Sequence, residues 1–427
     1  MPQRRLWGFF RRNVVRLFIH IFVLLFFSNL SWADDGVACK SVRDSMSLYN
    51  CLLQNHPSVK AAQLSKEAAR ASRDMLTQFP NPEVSVKSIK GENAGENVGS
   101  TEIGVSIDLT ELLVKRYALS SAGRSEEKLQ TVIAEEEIFK ARTQIIKDLY
   151  RYRQLSSEIP LTSEALETFG KIAGQYRSRR ARGPEQEITL NLVELAQGDY
   201  QLRKNHLAVE KSEIEARYKG VFGSNFQLKT DFLPALKKTW PDITESSISV
   251  STFNLRRAEA ERERAEAEKS IANADALPKI SAGPAFERVT EGPIQYNSTG
   301  FNVNVSIPIF SLNGGAREYA EKNRLKAQYT HEYAAKTAEL EKQLIIQKYR
   351  SAVESLKKST STESLNRKHD VIDGFFRRGL TSGSVVIEAH RQILEFTESQ
   401  HEHEITALES LMYLNILSGK DISEVLK

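Results

Sequence analysis

Two cysteines in 427 residues, Cys39 and Cys51, cannot by themselves complete a four-ligand zinc site. The apolar run at residues 17–27, broken by His20, falls short of the ~20 residues that a comfortable membrane helix needs. No Ser/His/Asp cluster, phosphate-cradling glycine loop or zinc spacing is found. An enzyme is therefore not expected, and no cofactor is implied.

The chain begins with a different kind of signal. Arg4, Arg5, Arg11, Arg12 and Arg16 precede the apolar run, and Ser31-Trp32-Ala33 follows it with small residues where a signal peptidase requires them. Residues 1–33 are read as a signal peptide, with a retained anchor as the alternative. The whole chain carries 59 Lys+Arg against 55 Asp+Glu, a net +4. Taking away the five leader arginines leaves 54 against 55, a net −1. The basic balance belongs to the leader, and the remainder does not suggest a nucleic-acid partner, which would show a concentrated basic face. Export to an oxidising compartment predicts a Cys39–Cys51 disulfide. Lipid attachment at Cys39 is the rival reading, though the leucine expected three positions before such a cysteine is Gly36.

Internal repetition organises the rest. Pro82 and Pro278 lie 196 residues apart, as do Gly183 and Gly379, and Gly223 and Gly419. The spacing predicts two copies of one unit, residues 34–230 and 247–427, joined by a linker at 231–246 that holds Leu233-Pro234 and Trp240-Pro241. Each copy opens with a helix, at 57–79 and 253–277, rich in Ala, Glu, Lys and Arg and stopped by proline. Two strands follow in each. Ile103, Val105, Ile107 and Leu109 alternate with polar residues or glycine, as do Phe301, Val303, Val305 and Ile307 with Asn302, Asn304 and Ser306. Residues 91–100 and 290–298 are expected to be exposed turns. About 65 residues then run from Leu112, and from Gly315, to a glycine tip, which as helix would be roughly 100 Å long. Pro160 is expected to kink or break the first of these helices, and Ser359-Thr360-Ser361-Thr362 marks a bend in the second.

The helix returning from the first tip carries two apolar series of period seven. Ile188, Leu195, Leu202, Val209 and Ala216 form one; Val193, Tyr200, Leu207 and Ile214 form the other. Residues 193 and 195 are ~200° apart around a helix, so the two stripes face nearly opposite ways. Two seams suit a helix in the wall of a tube, with a neighbour on each side; an antiparallel bundle is the alternative. Four amphipathic strands weigh against the bundle, since they cannot close a barrel alone and open edges are not tolerated in lipid. Three chains of four strands would give twelve, an even number that suits an outer-membrane barrel.

On these features the chain resembles the TolC-type outer membrane efflux proteins. The likeness rests on Asn55-His56-Pro57, Phe79-Pro80-Asn81-Pro82, Leu277-Pro278, Ser306-Ile307-Pro308-Ile309-Phe310 with Asn313-Gly314-Gly315, Gly379-Leu380-Thr381 and Val386-Ile387-Glu388-Ala389. It implies a mainly α protein with membrane β: a homotrimeric channel whose twelve-stranded β-barrel continues into a long periplasmic α-helical barrel. It implies a place in the outer membrane of a Gram-negative bacterium, in contact with its lipid. The partners implied are a periplasmic adaptor (membrane fusion) protein and an inner-membrane pump of the RND type. Lys115-Arg116 is similar to a pair in the cobalt–zinc–cadmium branch, although the glycines usual before that pair are Leu113-Val114 here. The cargo would be metal cations or small toxic molecules; a protein-secretion duct and a periplasmic coiled-coil scaffold are the alternatives.

The resemblance also points to residues. Glu388 is similar in position to an acid ringing the periplasmic aperture, with a solvated helix carboxylate as the bland reading. Arg182 and Gly183, with Arg378, Gly379, Leu380 and Thr381, mark the tips where an adaptor would dock. Arginines there also simply complement helix C-termini. His401 and His403, two apart on a helix, cannot chelate one ion.

Overall fold

The computed structural model describes residues 39, 42–93, 96–308 and 312–426; the leader read at residues 1–33 lies outside them. Helices α1 (Ser45–Asn55) and α2 (Pro57–Leu76) lead into strands β1 (Glu83–Asn93) and β2 (Glu96–Asp108). Helix α3 (Arg116–Arg177) runs out and α4 (Pro184–Phe222) returns. The order then recurs as α5 (Phe253–Ala274), β3 (Lys279–Glu291), β4 (Ile294–Ser306), α6 (Gly314–Lys358), α7 (Thr362–Arg377) and α8 (Gly383–Leu417). Among the described residues no helix is long and apolar enough to cross a membrane.

The strands form one antiparallel sheet in the order β1-β2-β3-β4, leaving β1 and β4 as edges. Register sorts its faces. Val86 pairs with Ile103 and Ile103 with Phe286; Val84 pairs with Val105, Ala282 with Val303 and Ile280 with Val305. Directly opposed residues share a face, so these side chains form one apolar surface. Every one of them except Ala282 is an exposed large hydrophobic, because no element among the described residues covers that side. The other face carries Glu102, Ser106, Asn302 and Asn304. Residues 91–100 and 290–298 do not form the broad turns expected of them. Their strands continue to Asn93↔Glu96 and Glu291↔Ile294, because cross-strand pairing overrides the weak local propensity of Gly, Asn and Glu.

Between Gly104↔Ala285 and Ile107↔Ala282 the pairing skips two positions, and there Gly283 lies against the Val105 carbonyl. A Cβ at 283 would occupy the space of that oxygen, so the close approach requires glycine. Thr110 then ties the two repeats together. Its hydroxyl donates to the Pro278 carbonyl at 2.9 Å and accepts from the Ile280 amide at 2.8 Å. A π-helical turn over Glu111–Lys115 carries the chain from sheet to helix.

Helix α3 has 62 residues, about 93 Å of helix. Pro160 does not break it. The proline leaves only the Ser156 carbonyl without its amide donor, and burial on both sides, at Leu155, Thr162 and Ala165, outweighs that one lost bond. The interruption falls instead in the copy without proline. Helix α6 ends at Lys358, and α7 restarts from Ser361, whose hydroxyl accepts from the Ser364 amide at 3.3 Å. A serine cap satisfies the freed amide, so a break there is inexpensive.

Two apolar cores divide the helical part. The larger, at mid-length, gathers Leu48, Leu52, Ile145, Leu149, Leu155, Leu411 and Met412 from α1, α3 and α8. The smaller, toward the tips, holds Phe169 and Ile172 of α3, Val193 and Tyr200 of α4, and Val386 and Leu394 of α8. Cys39 and Cys51 are disulfide-bonded with Cα atoms 6.0 Å apart, tying the segment before α1 to α1 itself.

Candidate functional site

The two tips are built differently, although matching glycines mark both. At the first, Gly183 has φ −73° and serves as the N-cap of α4. Arg182 closes this turn: it donates to Glu187 at 2.7 Å and to the Tyr176 and Arg177 carbonyls at 3.4 Å. It thus engages the last carbonyls of α3 while its charge meets the acidic first turn of α4. At the second tip, Gly379 has φ +73°. Its amide donates to Phe376 O at 2.8 Å and the Leu380 amide donates to Phe375 O at 2.9 Å, a Schellman closure that favours glycine. Arg378 lies over the Phe375 ring at 4.9 Å, and Leu380 projects into solvent. Thr381 follows just before the start of α8.

Glu388 sits on α8, two turns beyond the tip, with its side chain half-exposed. It is not a free carboxylate within the chain. Arg391 donates to it at 2.7 and 2.9 Å and Gln392 at 2.7 Å. Those donors hold its carboxyl below the usual range.

Of the two histidines in His-Glu-His, His401 is buried and its Nδ1 meets Glu158 of α3. His403 lines a separate shallow groove with Ser359 and Gln400, as a 200° separation requires. The His401–Glu158 contact belongs to a charged network that sequence reasoning missed. Arg151 donates to Glu158 at 2.9 Å and, with two bonds of 2.7 Å, to Glu210 of α4. Gln154 donates to the His401 carbonyl at 3.2 Å and to Glu404 at 2.8 Å. Burial alone would raise the Glu158 carboxyl; the His401 hydrogen bond and the Arg151 charge outweigh it and hold the group low. Three helices are thereby locked at mid-length.

A second group missed from the sequence lies nearer the second tip. His369 and Asp373 stand one turn apart on α7, and His390 reaches them from α8. Their i, i+4 spacing was the one available signal, and it carried nothing without the partner helix.

The Lys115-Arg116 pair has local partners: Lys115 pairs with Asp275, and Arg116 lies 3.9 Å over the Phe79 ring. Both contacts brace the sheet-to-helix passage.

Long hairpins of helix ending in two glycine tips, joined to an open sheet with one apolar and one polar face, define the architecture. Solved outer membrane channels share this fold. The open-state outer membrane channel MtrE of Neisseria gonorrhoeae superposes with a TM-score of 0.67 at 14% identity, over 88% of this chain and 89% of that one. CusC, solved in connection with folding and transmembrane channel formation, gives 0.64 at 13% identity, over 89% and 93%. The Campylobacter jejuni outer membrane channel CmeC gives 0.64 at 15% identity, over 88% of each chain. The chain has the fold of a TolC-type channel subunit along nearly its whole length. No protein-family model matches it, and no curated protein matches its sequence.

Proposed function

We propose that this chain is one third of a trimeric exit duct in the outer membrane, passing metal cations or small toxic molecules outward in a tripartite efflux system. The sheet is the observation that carries the reading. An apolar surface that no described element covers, flanked by two edges unpaired among the described residues, is unstable in water and intolerable in lipid unless neighbours complete it. Three copies edge to edge would close twelve strands, placing Val86, Ile103 and Phe286 toward lipid and Glu102 and Asn302 toward the lumen. The helices would continue the tube into the periplasm. Conduction would be passive, with energy supplied by an inner-membrane pump of the RND type.

The tips would be the adaptor-docking end. Arg182, Gly183, Arg378, Gly379, Leu380 and Thr381 cluster at the two turns farthest from the sheet, and Leu380 offers an apolar contact there. Glu388, just behind the second tip, would face its two symmetry copies at the narrowing. Its pairing with Arg391 reduces the field, so reversal of charge should matter more than neutralisation.

Solution mass in detergent together with planar-bilayer conductance tests the proposal. A trimer with cation-biased pores, and a bias shifted in Glu388→Lys, is the expected result. A well-folded monomer, or an assembly without conductance, would overturn the duct and favour a periplasmic scaffold. A conducting trimer whose selectivity ignores Glu388→Lys would remove Glu388 from the aperture.

A further inference from the structure

The geometry points to a binding site for one divalent transition-metal cation of the zinc or cobalt(II) class, held by His369, Asp373 and His390 between α7 and α8. One ligand atom from each residue lies within 4.8 Å of the other two. His369 Nε2 is 3.3 Å from both Nδ1 and Nε2 of His390, and His390 Nε2 is 3.9 Å from Asp373 Oδ1. A tetrahedral ion with bonds of ~2.0–2.1 Å sets its ligand atoms about 3.3 Å apart. The two imidazoles already match that edge, and the carboxylate oxygen stands about 0.6 Å beyond it on the His390 side.

As a hydrogen-bonded pair the histidines are poorly matched. A ring nitrogen equidistant from both nitrogens of its partner faces the carbon between them, and the rings meet at 76°. Neither nitrogen is then aimed at along a lone pair. Asp373 Oδ1 is a second and independent sign. It is a buried carboxylate oxygen with no hydrogen-bond partner, a costly state that a cation would relieve. The other face of that carboxyl is turned to Arg377, 3.8 Å from Oδ2. The surroundings hold the set in place. Phe169 packs edge-on against His390, with ring centroids 5.5 Å apart, and His369 is the only buried side chain described in α7. Two imidazoles and one carboxylate suit zinc, cobalt, nickel or copper over magnesium or calcium, which prefer all-oxygen sets.

Such an ion would clamp the last turns of α7 to α8. Helix α7 otherwise rests on the tip core through the partly buried Ile372 and Phe376, so the clamp would further fix the second tip. The site is enclosed by the tip core and is distinct from any ion in transit; it does not depend on what the duct carries.

Full-length protein purified in detergent and stripped of metal should be titrated with cobalt(II) alone. The expected result is one ion per chain, with the strong visible absorption of low-coordinate cobalt(II). X-ray absorption should show imidazole and carboxylate ligands. Losing an outer-sphere partner of a metal ligand costs 10–100-fold in affinity. His369→Gln and Asp373→Asn, each removing a ligand, should therefore weaken binding at least about tenfold while circular dichroism and oligomeric mass stay unchanged. If either variant misfolds, the ligand identity from X-ray absorption on the unaltered protein decides alone. Absence of stoichiometric uptake, an all-oxygen environment, or folded variants that bind as well as the parent would each overturn the site.

Discussion

Val193 and Leu195, two residues apart on α4, face opposite ways: Val193 is 0% exposed against Phe169 and Leu394, whereas Leu195 is 72% exposed. The same contrast runs the length of the helix. Tyr200, Leu207 and Ile214 are buried with Val193, and Ile188, Leu202 and Val209 stand in solvent with Leu195. One seam is satisfied within the chain. The other has the period of a coiled-coil contact and no partner among the described residues.

That second seam should be the contact between copies. Leu195→Glu combined with Leu202→Glu is expected to prevent assembly, since each leucine stabilises the contact by ~1.5–3 kcal/mol when fully buried. Sedimentation or light scattering in detergent would show the loss of the oligomer. Helical content should fall little, because neither residue belongs to the chain's own core.

The opposite seam answers to intrachain stability. Phe169, 0% exposed and edge-on to Tyr200 at 5.1 Å, anchors the tip core. Phe169→Ala should cost ~3–5 kcal/mol and lower the unfolding midpoint. Hydrogen exchange would locate the loosening in α4, α7 and α8 near the tips rather than in the mid-length core.

The network around Glu158 gives a pH dependence of definite sign. Its carboxyl is depressed in the folded state, so its contribution is complete above the ordinary carboxylate value. It is lost as pH falls through the depressed one. Glu158→Gln should take one of two carboxylates from the half-buried Arg151, which keeps Glu210, and cost ~1.5–3 kcal/mol near neutrality. The cost should shrink as pH is lowered from about 6 to about 3, read as converging denaturation midpoints of the two proteins.

The disulfide closes the segment before α1, whose Leu48, Tyr49 and Leu52 are buried in the mid-length core. Reduction, or the Cys39→Ser, Cys51→Ser pair, should lower stability by ~2–4 kcal/mol. Denatured, unreduced protein should take up no thiol-alkylating reagent; full labelling of both cysteines would show the bridge to be absent.

The tip glycines should respond unequally. Gly379 has φ +73°, and a Cβ at that position would meet nothing within 4 Å, so Gly379→Val should cost ~1–2 kcal/mol from backbone conformation alone. Gly183, at φ −73° with equally open surroundings, should suffer no backbone strain from valine and lose only the smaller N-cap preference for glycine. Thermal unfolding of the two variants, side by side, separates them.

Much of this molecule follows from its sequence. The fixed 196-residue offset, the period-two strands, the proline stops and the two heptad series are local or periodic features, each set by backbone sterics and by which side chains avoid water. They determine the element order, the tips and the two-faced helix. Tertiary structure decided what depends on distant residues. It kept α3 continuous through Pro160, where burial on either side outweighs one lost backbone bond, and opened the break at Ser359 instead. It extended the hairpins past their glycines, because ladder pairing outweighs local propensity. It assigned one heptad series to the interior and left the other bare. It also brought His390 to His369 and Asp373 and His401 to Glu158, pairs separated by 21 and 243 positions. No periodicity marks such partners, since a contact between helices depends on their rotation and offset, which only packing fixes.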